Sequence, residues 1–266
     1  TGADNTAVGT NALGANTTGA QNVAIGSSSL AANTIGDQNV AIGQNSLDSN
    51  TEGQKNVAIG FKALCTNTTA DQVVAVGCGS LISNTTGANN VAVGSLSLEG
   101  TTTGSDNTAA GPASGLSLTT GSNNLLLGHD AGRSNSPNTV TTGSDRIVLG
   151  NNSITNAYIR VDWTVTSDLR DKMNIEPISH GLDFVNQLNP IKFNFKKSRE
   201  NATSHGRKKY GFKAQDILAL EGEDNVIIDN EDPNSLKYIG SHLVPVLVNA
   251  IKELKARIEV LENEWS

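Results

Sequence analysis

The chain has 266 residues, a net charge of -7 and only 4% aromatic residues, with 27 glycines and two cysteines. No apolar run approaches the roughly 20 residues of a membrane span, and no basic stripe offers itself to nucleic-acid phosphates. Cys65 and Cys78 are too few for a disulfide framework or a metal cluster and read as two small buried residues in a reducing compartment. The start, Thr1-Gly2-Ala3-Asp4, has neither an initiator Met nor a charged and apolar leader, and reads as a piece of a longer chain.

Residues 1 to about 150 repeat every 17. Gly9, Gly26, Gly43, Gly60, Gly77, Gly94, Gly111 and Gly128 mark the period, each closing a motif such as Asn39-Val40-Ala41-Ile42-Gly43. Leu13, Leu30, Leu47, Leu64, Leu81 and Leu98 follow four residues later, then pairs such as Asn33-Thr34 and Asn50-Thr51. Val40 and Ile42 alternate on one face of a short strand, while Asn, Ala and Gly occupy the other, where small side chains allow another backbone close. Gly and Asn-Thr suit turns, and the composition opposes helix. One copy cannot close a core, so copies must stack, eight coils at ~4.8 Å giving about 40 Å of rod. The thin apolar supply predicts that three chains bury a Val/Ile/Leu face among themselves, a homotrimer. The repeat fades late: Gly115 and Gly132 replace Leu, and the next matching glycine, Gly150, follows an insertion around Ser134-Pro137 that reads as a surface loop.

The repeat resembles the Asn-x-Val-Ala-Ile-Gly repeats in the heads of trimeric bacterial adhesins and in phage tail fibres. That resemblance implies a trimeric parallel β-roll, although its repeat is shorter than 17.

Nine of the ten aromatic residues lie after residue 150, Phe61 being the exception, so an ordinary globular composition begins there. Ala157, Ile159, Val161, Trp163 and Val165 alternate with Tyr158, Arg160, Asp162 and Thr164, which predicts a closing strand within a junction at 151–166. Ser167-Asp168-Leu169-Arg170-Asp171-Lys172 comes next. On residues alone this is a capped helix start, with Ser167 or Asp168 as N-cap.

With the residues that follow it, the segment resembles the C-terminal intramolecular chaperone domain of phage tailspikes, endosialidases and tail fibres. Ile175-Glu176-Pro177-Ile178 and Leu188-Asn189-Pro190-Ile191-Lys192-Phe193-Asn194-Phe195 resemble that family's first helix and strand. Tyr210-Gly211-Phe212-Lys213-Ala214-Gln215-Asp216 resembles its core motif, and the run from Leu243 to Leu254 its terminal helix. The resemblance implies a domain at 167–266 that trimerises and cuts the chain once, at Thr166–Ser167, as a serine auto-endopeptidase. Ser167 would be the nucleophile, Lys172 the general base and Asp168 an orienting group. A serine hydroxyl needs an adjacent base, and a desolvated lysine can serve. Five helical steps leave Ser167 and Lys172 about 140° apart, so their contact requires an irregular segment or a lysine from a neighbouring chain. Where members of the family often carry a His before Gly-Phe, this chain has Lys209-Tyr210, with His205 nearest.

Val244, Ile251, Ile258 and Trp265 recur every seven residues, with Leu247, Leu254 and Leu261 three after each, an a/d seam predicting a trimeric coiled coil. Residues 196–209 are basic and polar and read as a solvated loop or an arm.

The fold expected is mainly β: a homotrimeric fibre of stacked 17-residue parallel β-coils at 1–150, then a small α+β chaperone domain ending in a coiled-coil helix. The function expected is a distal phage tail-fibre piece, part of the virion and assembled in the host bacterial cytoplasm. It would recognise a host surface receptor, a glycan or outer-membrane component, without cofactor, metal, nucleic acid or membrane insertion. A polysaccharide-degrading tailspike is one alternative, but Asp37, Asp48, Glu52, Asp71, Glu99 and Asp106 fill no recurring paired position of the kind glycosidases need. A cellular trimeric adhesin is the other, and it needs a membrane β-barrel anchor, whereas the sequence closes on a polar, helical pattern.

Overall fold

The computed structural model describes the chain apart from residues 1, 134–138, 161–164, 166, 197–198, 200–201, 223–224 and 266. Residues 1–156 form one compact unit, and residues 157–266 apart from 197–200 form a second.

The first unit is a parallel β-solenoid. Its three-residue strands are β1 (Thr6–Val8), β2 (Val23–Ile25), β3 (Val40–Ile42), β4 (Val57–Ile59), β5 (Val74–Val76), β6 (Val91–Val93), β7 (Thr108–Ala110), β8 (Leu125–Leu127) and β9 (Ile147–Leu149). They stack in chain order as one nine-stranded sheet. Each residue pairs with the one 17 positions on, as Val40 with Val57 and Ala41 with Ala58. Leu125 pairs with Ile147 instead, so the extra residues of the insertion leave the ladder's register intact.

The solenoid closes its own core. Ala24, Ala41, Ala58, Ala75, Ala92 and Ala109 at the strand centres are fully buried, as are Leu30, Leu47, Leu64, Leu81 and Leu98 from the turns. This corrects the expected Val/Ile/Leu face between chains: leucine belongs to the coil's interior, and only the Val/Ile ranks point outward, with Ile25 and Ile59 both 38% exposed. A narrow coil needs little apolar volume because asparagine fills the rest. Asn33, Asn50, Asn67 and Asn84 each donate Nδ2 to the Oδ1 of the asparagine one coil earlier, at 2.8–3.2 Å. The ladder satisfies these buried amides up to Asn84, whose Oδ1 is left unpaired because Thr101 stands where the next asparagine would donate.

The interior leucines adopt left-handed backbone, with φ between +48° and +53° from Leu13 to Leu98. For an L-residue this costs roughly 1–2 kcal/mol, and full burial of a leucine side chain returns about 1.5–3 kcal/mol, so packing holds the strain. The late coils change the donor of that volume. Gly115 and Gly132 stand where leucine is expected, while Leu126 replaces the strand alanine and is fully buried. A Cβ on Gly115 would lie 2.8 Å from Leu126 Cδ1, so the two positions exchange bulk. The apparent fading of the repeat is therefore a relocation of its core, not a loss of it.

In the second unit the first helix, α1, is Leu182–Gln187, not the segment at 175–178, where Pro177 interrupts. Then come β10 (Ile191–Lys196), β11 (Ser204–Gly211), α2 (Ala214–Glu221), β12 (Ile228–Asp229), β13 (Lys237–Tyr238) and α3 (Gly240–Glu264). β10 and β11 pair antiparallel, so half of the basic stretch expected as a loop, residue 196 and residues 204–209, is strand, because alternating Ile191–Phe195 offers it an edge. Of the expected closing strand, residues 161–164 lie outside the described residues, and its described residues 157–160 and 165 carry no strand, with Tyr158 and Val165 exposed. Phe184, Ile217, Ile227, Ile228, Leu243 and Val246 form the core of the unit.

Candidate functional site

A single 3-10 turn, Leu169–Asp171, organises the segment at the head of the second unit. Asp168 is its N-cap: its Oδ1 accepts the Arg170 N–H at 2.9 Å, and its Oδ2 meets Arg170 Nη2 at 2.6 Å. The turn closes when Lys172 N–H reaches the Leu169 carbonyl at 3.1 Å. A 3-10 turn has three residues per turn rather than 3.6, and the chain leaves it extended at Lys172. Both features bring Lys172 back over Ser167, and Lys172 Nζ donates to Ser167 Oγ at 2.9 Å. The irregular segment that the five-residue spacing requires is thus present, and within one chain.

Asp168 sits elsewhere in this geometry. Its hydrogen bonds go to Arg170, so it shapes the turn that carries Ser167 and Lys172 rather than touching either. The side-chain bond from Arg170, and then the backbone bond, hold its carboxyl below the ordinary carboxylate value. A depressed folded pKa means that the contribution of Asp168 to the turn is fully present above the free carboxylate's pKa, about 3.9, and is lost as pH falls through the lower folded value. A carbon-detected NMR titration should place the Asp168 midpoint below that of a free aspartate, and Arg170→Ala should raise it.

Ser167 and Lys172 are exposed on the single chain, and Thr166, the other half of the expected scissile bond, lies outside the described residues. Tyr210 is 82% exposed with Lys192 Nζ 5.7 Å from its ring centre, and His205 pairs across the ribbon with Phe195. Among the described residues no group of His, Cys, Asp and Glu is arranged to hold a metal ion. No helix among them is long and apolar enough to cross a membrane.

Sequence reading did not single out two carboxylates that organise the unit. Buried Glu221 accepts the backbone N–H groups of Val226, Ile227 and Ile228, pinning the start of β12 to the end of α2. Glu253 of α3 accepts the Leu182 N–H at 2.7 Å. Glu221 lies in no motif, and Glu253 lies in the Leu243–Leu254 run with nothing local to mark its distant partner.

Residues 167–227 match the family described as chaperone of endosialidase. Those residues of the second unit are therefore similar to the chaperone domain of that family. The match opens on Ser167, the residue that Lys172 contacts, and ends before α3. No curated protein and no solved structure matches the chain. A solenoid of 17-residue coils ahead of such a chaperone fits the organisation of a phage tail fibre.

Proposed function

We propose that this protein is a distal tail-fibre piece whose C-terminal domain assembles three chains, aligns their solenoids and then cuts itself away before Ser167. The observation that carries the reading is the 2.9 Å contact of Lys172 Nζ with Ser167 Oγ at the opening residue of the chaperone domain. Once desolvated and neutral, Lys172 accepts the hydroxyl proton, and Ser167 Oγ bonds to the Thr166 carbonyl carbon. The Thr166–Ser167 C–N bond breaks, the released amine takes a proton, and water hydrolyses the resulting ester. The products are residues 1–166 with a new carboxylate and residues 167–266 with a new amine. Both dyad members are exposed on one chain. Neighbouring chains in a trimer supply the desolvation that a lysine base needs, which ties cutting to assembly.

Two apolar surfaces support a trimer. On α3, Val244, Leu247, Ile251, Leu254, Ile258 and Leu261 are 39–66% exposed, and Trp265 at its C-cap is 90% exposed, while Leu243, Val246 and Ala250 pack inward. The helix therefore serves its own unit with one face and leaves the heptad seam unpartnered. On the solenoid the Val/Ile ranks form a second partly exposed stripe, the face along which three coils would meet. In-register pairing of such chains is slow, and a trimer formed first at the C-terminus raises their local concentration. Cutting then removes the route back and makes the fibre's persistence kinetic. The mature fibre, residues 1–166, would engage a host surface component.

Intact mass tests the reading. The wild-type chain should yield a product ending at Thr166, and Ser167→Ala should stay full-length while still trimeric. A wild-type trimer that never shortens leaves a chaperone without peptidase activity.

A further inference from the structure

α1 has six residues, too few to hold a helix unaided. Its N-cap is Gly181, which has no side chain to cap with. The cap comes from 71 residues away, where Glu253 Oε2 accepts the Leu182 N–H at 2.7 Å. One turn earlier on α3, Asn249 Nδ2 donates to the His180 carbonyl at 3.0 Å and to Glu253 Oε1 at 3.2 Å. An i,i+4 pair on α3 thus grips the backbone on both sides of Gly181. Residue 181 has to be glycine for this, since a Cβ there would run into the Glu253 carboxylate. His180 stacks on Phe184 with ring centres 4.3 Å apart, which fixes the same point from below.

The opposite face of α3 carries the unpartnered heptad seam. On the other side of the grip, residues 173–180 run back to Lys172, with Pro177 stiffening them and Met173 and Ile175 exposed. We propose that Glu253 is a positioning residue that couples trimerisation of α3 to processing, by tethering the segment that carries the Ser167–Lys172 turn to the assembled helix. The inference rests on the processing reading above. The turn forms within one chain, so the tether does not build the dyad. It holds the dyad where neighbouring chains bury it.

The test is a time course of cut product by intact mass, with native mass reporting the trimer, on the full chain. Glu253→Ala should still trimerise and be cut about tenfold more slowly, the scale of one lost charge-assisted hydrogen bond. Glu253→Gln keeps an acceptor and should stay within about threefold of wild type. The decisive variant is Gly181→Asp with Glu253→Ala. The missing carboxylate makes room for the new side chain. This chain caps α1 locally but severs α3, and it should trimerise and remain slow. Wild-type rates in Glu253→Ala, or full recovery in the double variant, overturn the coupling and leave Glu253 a helix cap. Should the wild-type trimer never be cut, the processing reading fails by itself. Exchange of the Leu182 amide then judges the tether: it should be slow in the wild-type trimer and about tenfold faster in Glu253→Ala, and equal rates sink it.

Discussion

Ile251→Asp is expected to leave the chain monomeric and uncut. Ile251 is 66% exposed and sits mid-seam on α3, so the single chain loses nothing by the change. In a trimer its three copies meet near the axis, and three carboxylates would be desolvated together without partners. An unpaired buried charge costs roughly 3–5 kcal/mol, enough to weaken association by two orders of magnitude or more. Native mass should show one chain where wild type shows three, and intact mass should show residues 1–266 whole, because no neighbouring chain covers the exposed dyad. Lys252→Ala, one residue along and outside the seam, is the control and should behave as wild type. A monomeric Ile251→Asp chain that is still cut before Ser167 would show that the turn acts without assembly.

Gly60→Ala should disrupt the solenoid. Gly60 has φ +134°, a region open to glycine alone, and a Cβ there would lie 2.7 Å from the Gly77 carbonyl carbon and oxygen. Backbone strain of this kind costs about 1–3 kcal/mol, and the clash is with the next coil's main chain, which no rotamer can relieve. The same contact recurs at Gly26, Gly43, Gly77, Gly94 and Gly111, so the coil cannot shift without shifting its neighbours. Denaturant unfolding in the Ser167→Ala background, which keeps one species, should show a lowered midpoint. Gly79→Ala is the matched control. Gly79 has φ +66° and its Cβ would meet only the flexible Leu96 Cδ2 at 2.9 Å. Lys62, Leu96 and Ala113 hold the equivalent place in other coils with similar φ. Equal losses for the two variants would refute the stacked-glycine account.

The glycine column explains why the solenoid was legible in the sequence. Its geometry tolerates no Cβ, so the period is written in a residue type that nothing can replace. The leucine column was legible as a period but not as a location. Leucine at positive φ is contrary to its intrinsic preference, and only burial inside the coil makes the conformation worthwhile. The asparagines were read as turn residues, which they are. Their second role, a ladder of buried amides, needs the coil above and below before any donor finds its acceptor. That ladder is why one chain closes a core from so little apolar volume, against the expectation that three chains were needed for it.

At the candidate site the residue types were legible and the contact was conditional. Spacing alone put Ser167 and Lys172 on different sides of a regular helix, and the Asp168 cap with its Arg170 partner makes the turn tight enough to join them. By itself, then, the sequence determined the 17-residue coil and the heptad pattern of α3, because each depends on residues close in the chain or repeated at a fixed interval. The tertiary structure decided which apolar rank faces inward, which strand the basic stretch joins, and that α1 is capped by a glutamate 71 residues away. Those outcomes turn on partners that meet only when the chain folds, and no local pattern encodes a partner's position.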